Sequence, residues 1–246
     1  MKYLREFNTH TEYEEFDLIL PNVSICANRS NEVHYNPYIA PVVQQHDYVE
    51  IGGIKWATMN VGANSITDTG LYFQWGDTQG YTASQVGKGE GKKIFSWENY
   101  KYNPSGDGST MTKYNATDGK TVLEASDDAA QANWGSQWRM PTTDEYVALD
   151  NAVNTAWTAD YQGSGVSGLV LTDKTDSSKA LFFPAAGLCS NGSVINVGSI
   201  GYYWSSSVYS SKVQRAYGLG FSSSGVYWQS NFLRFYGFAV RGILDE

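Results

Sequence analysis

The alternation of hydrophobic and polar positions changes character near residue 46. Before it, Thr9 followed by Glu12 has the spacing of a capping box and predicts a short helix running to about Leu20. Val33 to Tyr38 reads as an extended piece ending at Pro37. From Asp47 on, short apolar runs are divided by glycine. Tyr48–Ile51, Gly52-Gly53 and Ile54–Ala57 predict a hairpin, because two glycines accept the positive φ angles of a tight turn. Leu71–Gly76 predicts a further short strand, and residues 77–120, rich in Gly, Asn, Ser and Thr, predict a long irregular segment over the surface. Two helices are expected, one around Ser126–Trp134 and one after Pro141, where Thr142 or Thr143 can cap a helix bearing Tyr146, Val147 and Leu149. Six candidate strands follow: Leu169–Leu171, Ala180–Phe183, Gly201–Ser206, Ala216–Phe221, Gly225–Trp228 and Gly237–Gly242. The pattern predicts an α+β domain over residues 47–246, preceded by an N-terminal arm, residues 1–46, that serves assembly.

Composition sharpens this picture. With 246 residues the chain suffices for one large domain. Its formal charge of −8 and the lack of any Lys or Arg run disfavour nucleic acid as a partner. No apolar stretch approaches the length of a membrane span, so membrane insertion is not expected. The start, Met1-Lys2-Tyr3-Leu4-Arg5-Glu6, lacks the apolar region of a secretion signal. Aromatic residues reach 15%; most of these rings read as core, some can form a recognition surface, and position must decide between the two.

Catalytic constellations are scarce. His10, His34 and His46 all precede the main domain, and no Gly-x-Ser-x-Gly elbow follows, so a nucleophile triad has no base to work with. Gly87–Lys93 is glycine-rich but lacks Walker spacing. Cys26 and Cys189 have no neighbours at metal-ligand spacing and read as plain thiols. No metal and no cofactor is expected. Paired carboxylates of a glycan-active enzyme stay open as an alternative, since their separation is invisible in sequence.

The last forty residues differ in kind. In Ala216–Phe221, alternation predicts that Tyr217, Leu219 and Phe221 point inward while Ala216, Gly218 and Gly220 point outward to a free face. In Ser230–Tyr236, the apolar residues Phe232, Leu233, Phe235 and Tyr236 crowd around Arg234 beyond what one strand face can bury. Some of these rings must be exposed, which marks a contact surface.

Six ordered blocks carry a resemblance. Trp56–Ala63, Tyr72–Gly76, Ala132–Gly135 with Trp138–Thr142, Phe183–Gly187, Gly201–Ser207 and Gly237–Arg241 resemble the Fibrobacter major paralogous domain family of gut bacteria and their phages. That resemblance implies a C-type-lectin-like fold, related to formylglycine-generating enzymes, with short antiparallel strands, two helices and long loops. The single Cys189 in the domain does not supply the reactive cysteine pair of those enzymes, and the calcium motifs of sugar-binding lectins are missing. The closing block, about residues 201–243, also resembles the variable region of proteins diversified by retroelements. There, misread adenines turn Asn codons into codons ending in a pyrimidine, which never encode Met, Trp, Gln, Lys or Glu. By that resemblance the exchangeable, ligand-binding positions are Arg215, Gly218, Gly220, Ser222, Gly225, Tyr227, Ser230, Asn231, Phe232, Leu233, Phe235 and Tyr236. Trp228 and Gln229 are framework, as are Tyr217, Leu219, Phe221, Phe238, Val240 and Arg241. The implied activity is recognition without catalysis. The expected partner is a protein or glycan receptor on a cell surface, bound by a phage tail protein or a bacterial surface adhesin, with a homo-trimer in view. An inert appendage module is the structural alternative.

Overall fold

The computed structural model describes residues 2–6, 13–17 and 46–245, the first two stretches as backbone only. The chain divides into two units, Met1–Val43 and Gln44–Glu246. In the first, β1 (Lys2–Glu6) pairs antiparallel with β2 (Tyr13–Asp17). The helix expected from Thr9 to Leu20 is therefore corrected: its centre is a strand, set by a register that places Leu4 opposite Glu15. Val33–Tyr38, His10, His34 and Cys26 lie outside the described residues.

In the second unit β3 (Tyr48–Ile51) and β4 (Ile54–Asn60) form the expected hairpin, with Gly52 and Gly53 at φ +62° and +77°. Helix α1 (Ala129–Trp134) starts at Asp128, whose carboxylate accepts from the Gln131 N–H, and stops at Gly135. A two-residue strand, β5 (Trp138–Arg139), leads to helix α2 (Thr143–Ala152), where Thr142 and Glu145 close a reciprocal capping box. The chain then runs without a loop into β6 (Val153–Thr158), followed by β7 (Gly168–Asp173), β8 (Ala180–Pro184), β9 (Leu188–Ser190) and β10 (Ser193–Ile195). Three long strands come next, β11 (Ile200–Val208), β12 (Arg215–Ser222) and β13 (Gly225–Leu233), and β14 (Arg241–Leu244) closes the chain.

These strands make four small antiparallel sheets, ordered β3-β4-β14-β5, β6-β7-β8, β9-β10 and β11-β12-β13. Strand outweighs helix, 38% to 14%, so the α+β, C-type-lectin-like class expected from the sequence is corrected to a β-rich sandwich. The two helices expected are present but have six and ten residues, too short to form a layer of their own. Other expectations shift as well. Leu71–Gly76 is not a strand but two single bridges, Tyr72 to Tyr81 and Phe73 to Phe238. In Gly237–Gly242 regular pairing starts only at Arg241, because Gly237, Phe238 and Ala239 each bridge a different segment, at Cys189, Phe73 and Tyr203.

Residues 77–120 are irregular, as expected, but they do not merely cover the surface. Phe95, Tyr100 and Tyr114 from this segment are buried, and Tyr114 stacks edge-on to Trp75. Asp127 anchors the stretch by accepting from Lys101, Lys113 and the Tyr114 hydroxyl. Two large apolar clusters result, beside a small one of Tyr72, Phe95 and Cys189. One centres on Trp75, Trp204, Phe235 and Phe238, the other on Trp56, Tyr146, Tyr203, Leu219 and Phe221. The β11-β12-β13 sheet contributes to both.

Candidate recognition face

The register of that sheet decides which side chains share a side. Across β12 and β13, Ala216 faces Phe232, Gly218 faces Ser230, Gly220 faces Tyr227 and Ser222 faces Gly225. Across β11 and β12, Ile200 faces Ser222, Tyr202 faces Gly220 and Trp204 faces Gly218. Directly opposed residues of an antiparallel pair point to one side of the sheet, so these eleven residues define one face. Between Gly218 and Gly220 the register slips, because Trp228 and Gln229 together oppose the single residue Leu219. Trp228 and Gln229 thus form a β-bulge, which keeps Tyr227 and Ser230 on the same side although three positions separate them.

The face has a sealed half and an open half. At the sealed half, Trp204 and Phe238 stack at 4.1 Å between ring centres, both without solvent exposure. Over Phe238 stand three half-buried rings: Phe232 edge-on at 5.0 Å, Tyr202 stacked at 5.1 Å and Tyr236 stacked at 5.9 Å. At the open half Tyr227 is 60% exposed and Ser222, Gly225 and Ser230 are half-buried. In the neighbouring hairpin Ile195 pairs with Leu188, a member of the Trp204–Phe238 cluster, and is itself exposed. Burial raises the Tyr202 hydroxyl above the usual phenol range, and the neighbouring Tyr236 hydroxyl pushes the same way. Tyr202 therefore stays neutral and available as a donor at any physiological pH.

The twelve residues read from the sequence do not form one patch. Gly218, Gly220, Ser222, Gly225, Tyr227, Ser230 and Phe232 lie on this face. Arg215, Asn231 and Leu233 alternate to the other side, where the Arg215 guanidinium donates to the Asn231 carbonyl and amide oxygens, both at 3.0 Å. Phe235 and Tyr236 occupy the turn beyond β13, and they diverge. Tyr236 joins the aromatic floor, whereas Phe235 is 7% exposed and packs edge-on against Trp97 at 4.9 Å.

The expectation of a free face along Ala216–Phe221 needs correction. Ala216 has no exposure, and Gly218 and Gly220 are covered, because the sheet lies between the two clusters. The two glycines still differ. A Cβ at Gly218 would stand 2.6 Å from the Tyr203 carbonyl oxygen, inside contact distance. A Cβ at Gly220 would meet only the Phe232 ring, at 3.4 Å, and Tyr202, at 3.8 Å.

Beneath the face two arginines act as staples. Arg234 is fully buried with its guanidinium 4.7 Å above the Trp75 ring, and it donates to the Lys113 carbonyl at 3.1 Å and the Tyr114 carbonyl at 2.6 Å. Arg241 is fully buried over Phe183 at 4.4 Å and donates to the Ala57 and Phe182 carbonyls, both at 2.9 Å. Burial pulls both guanidinium pKa values down. Five fixed N–H donors suit this task of gathering carbonyls from irregular backbone.

Sequence reading missed Tyr202. Tyr202 sits two residues before Trp204 in β11 and shares its side, a signal available from alternation alone. A second missed signal is charge: residues 177–244, which contain the whole sheet, hold no Asp or Glu at all. Among the described residues no three His, Cys, Asp or Glu side chains are placed to hold a metal ion. His46 instead stacks on Trp134 at 4.0 Å, and Cys189 is buried with its thiol pKa pushed up by that burial.

A sequence family described as a domain of unknown function, DUF8237, matches residues 170–242. The match runs from within β7 to the second residue of β14 and so contains the entire face. No curated protein and no solved structure matches the chain. The matched stretch does not complete its own core: Phe73 and Trp75 from one side and Trp56 and Tyr146 from the other lie outside it.

Proposed function

We propose that this chain is a receptor-binding protein whose β11-β12-β13 sheet displays exchangeable side chains over an aromatic floor. The supporting observation is the contrast at the β12–β13 hairpin. Tyr227 is 60% exposed and opposes Gly220, while Trp204 and Phe238, on the same side, have no exposure. A change at the open end leaves the sealed end untouched, which is what exchange of a binding surface demands.

The exchangeable set is narrower than the sequence reading. It comprises Gly220, which is covered but admits a methyl group against the Phe232 ring, and Ser222, Gly225, Tyr227 and Ser230, which are half-buried or exposed. Tyr202, Phe232 and Tyr236 supply rigid amphipathic contact area at low entropy cost. Gly218, Phe235, Arg234 and the Trp228–Gln229 bulge belong to the framework. The ligand is a protein or glycan receptor on a cell surface, met by this protein on a phage tail or a bacterial surface. Diversification by a retroelement, suggested by the resemblance of residues 201–243 to such variable regions, fits a bulge made of two residues its codons cannot produce.

Sequencing many copies of the gene from one population tests this reading. Substitutions should concentrate at Gly220, Ser222, Gly225, Tyr227 and Ser230 and spare Gly218, Trp228, Gln229 and Arg234. Substitutions spread evenly over β11 to β13 would overturn it.

A further inference from the structure

The reverse side of the β11-β12-β13 sheet is only partly covered. Helix α2 packs there, and its Tyr146 and Leu149 share a buried cluster with Leu219 and Phe221. Toward the start of β12 and the end of β13 the cover thins: Tyr209, Arg215, Tyr217, Asn231 and Leu233 are all half-buried. The register gathers them on one side. Arg215 opposes Leu233, and Tyr217 opposes Asn231. Tyr209 lies one residue beyond the Val208–Ala216 pair and donates its N–H to the Arg215 carbonyl at 3.1 Å, which sets it opposite Arg215. The rings of Tyr209 and Tyr217 meet edge-on, 5.2 Å between centres and at 89°, and so form a corner.

The corner offers hydrogen-bond donors and no carboxylate of its own strands. Nη1 of Arg215 donates to the Asn231 carbonyl and amide oxygens, both at 3.0 Å, which holds the guanidinium and leaves the Asn231 amide nitrogen free. Among the described residues, Nε and Nη2 of Arg215 make no hydrogen bond and no carboxylate pairs with this guanidinium. These two nitrogens form one side of the guanidinium fork, the geometry that grips both oxygens of a carboxylate. Lys212, in the exposed turn between Tyr209 and Arg215, adds a second positive charge.

The surroundings restrict what carries that carboxylate. Helix α2 brings exposed Asp144 and Asp150 to the same side of the sheet, and the chain carries −8, so a run of acids is repelled. A single carboxylate on an otherwise neutral molecule is not. A carboxylated sugar has that make-up: its hydroxyls accept from the remaining donors, and its C–H face lies on a phenol ring.

We propose that Arg215, Asn231, Tyr209 and Tyr217 form a second binding site, on the reverse of the sheet, for a carboxylated sugar. Arg215 holds the carboxylate through Nε and Nη2, Asn231 fixes the guanidinium, and the two tyrosines carry the sugar ring. The site shares no residue with the exchangeable set around Tyr227, so either can fail without the other.

Nuclear magnetic resonance titration of the full chain tests this, with methyl glucuronide as the probe. Methyl glucoside, which has a hydroxymethyl group in place of the carboxylate, and tetra-aspartate, which has carboxylates without a sugar, are the comparisons. The glucuronide should bind with a Kd of roughly 1–10 mM and shift the signals of Tyr209, Tyr217 and Asn231 while sparing Tyr227. Both comparison compounds should bind about tenfold more weakly or not at all. Arg215→Lys keeps the charge but loses the fork, and should weaken the glucuronide by about tenfold. Absence of any shift up to about 50 mM glucuronide would overturn the proposal. So would equal binding of the glucoside or of tetra-aspartate, shifts confined to the surroundings of Tyr227, or full affinity in Arg215→Lys.

Discussion

Gly218 and Gly220 occupy equivalent positions of β12 two residues apart, yet they set different limits on change. At Gly220 a methyl group meets the Phe232 ring at ordinary contact distance. Gly220→Ala should alter stability by less than about 1 kcal/mol, helped by the smaller entropy of the unfolded chain. At Gly218 the same methyl collides with the Tyr203 carbonyl, which can move only with β11. Gly218→Ala should cost about 1–3 kcal/mol, the range for overpacked sites, and urea titration of the two variants separates the cases. Arg234 is a second residue whose role is structural. Its removal strands the Lys113 and Tyr114 carbonyls and leaves a void over Trp75, so Arg234→Met should lose roughly 2–4 kcal/mol. Lysine, with a single donor point, should not rescue it. Alternation in the sequence placed Gly218 and Gly220 on one side of β12 correctly. It was silent on what covers that side, because the covering residues, Phe232 and Tyr202, arrive from other strands.

At the scale of elements, the irregular stretch before α1 depends on Asp127. Burial acts to raise its pKa, but bonds from Lys113, Tyr114 and Lys101 outweigh burial and hold the carboxylate well below its usual range. Because the folded value lies below the unfolded one, about 3.9, this contribution is complete above that pH and is lost as pH falls through the folded value. Thermal melts should therefore show Asp127→Asn less stable than the parent at neutral pH, with the gap closing below about pH 4. The bulge in β13 supports a sharper expectation. Deleting both Trp228 and Gln229 would make Tyr227 and Ser230 neighbours and so flip Ser230 and Phe232 to the other side, and Phe232 cannot leave Phe238 cheaply. The double deletion should destabilise the domain by several kcal/mol, while deleting Gln229 alone, which leaves Trp228 opposite Leu219 in a regular ladder, should not, as denaturant midpoints would show. Local chemistry made some elements legible in the sequence: the Gly52-Gly53 hairpin, the Thr142 cap and the Asp128 start of α1. The N-terminal capping box misled, because a spacing of Thr and Glu says nothing of the strand that pairs with Tyr13–Asp17. Leu71–Gly76 misled for the opposite reason, since its strand-like residues meet a different partner at each position.

For the molecule as a whole, the proposed recognition face is carried by late residues and upheld by early ones. Trp56, Phe73, Trp75 and Tyr146 complete the two clusters on which β11 to β13 rest. A fragment confined to residues 170–242 should accordingly show no cooperative unfolding transition by circular dichroism, whereas the full chain should show one. The proposed face was half legible. Alternation placed the glycines on one side of β12 but predicted a free face where that side is covered, and the division of the twelve residues between two sides follows from a register that the bulge shifts. Phe235 went astray because a turn, not a strand, follows Leu233.

Two libraries read by protease resistance of the displayed full chain test most directly whether a fixed frame carries a replaceable surface. One randomises Gly220, Ser222, Gly225, Tyr227 and Ser230; the other randomises Tyr203, Trp204, Arg234, Phe238 and Arg241. Most members of the first should stay folded and most of the second should be cleaved. Equal survival of the two would contradict the account.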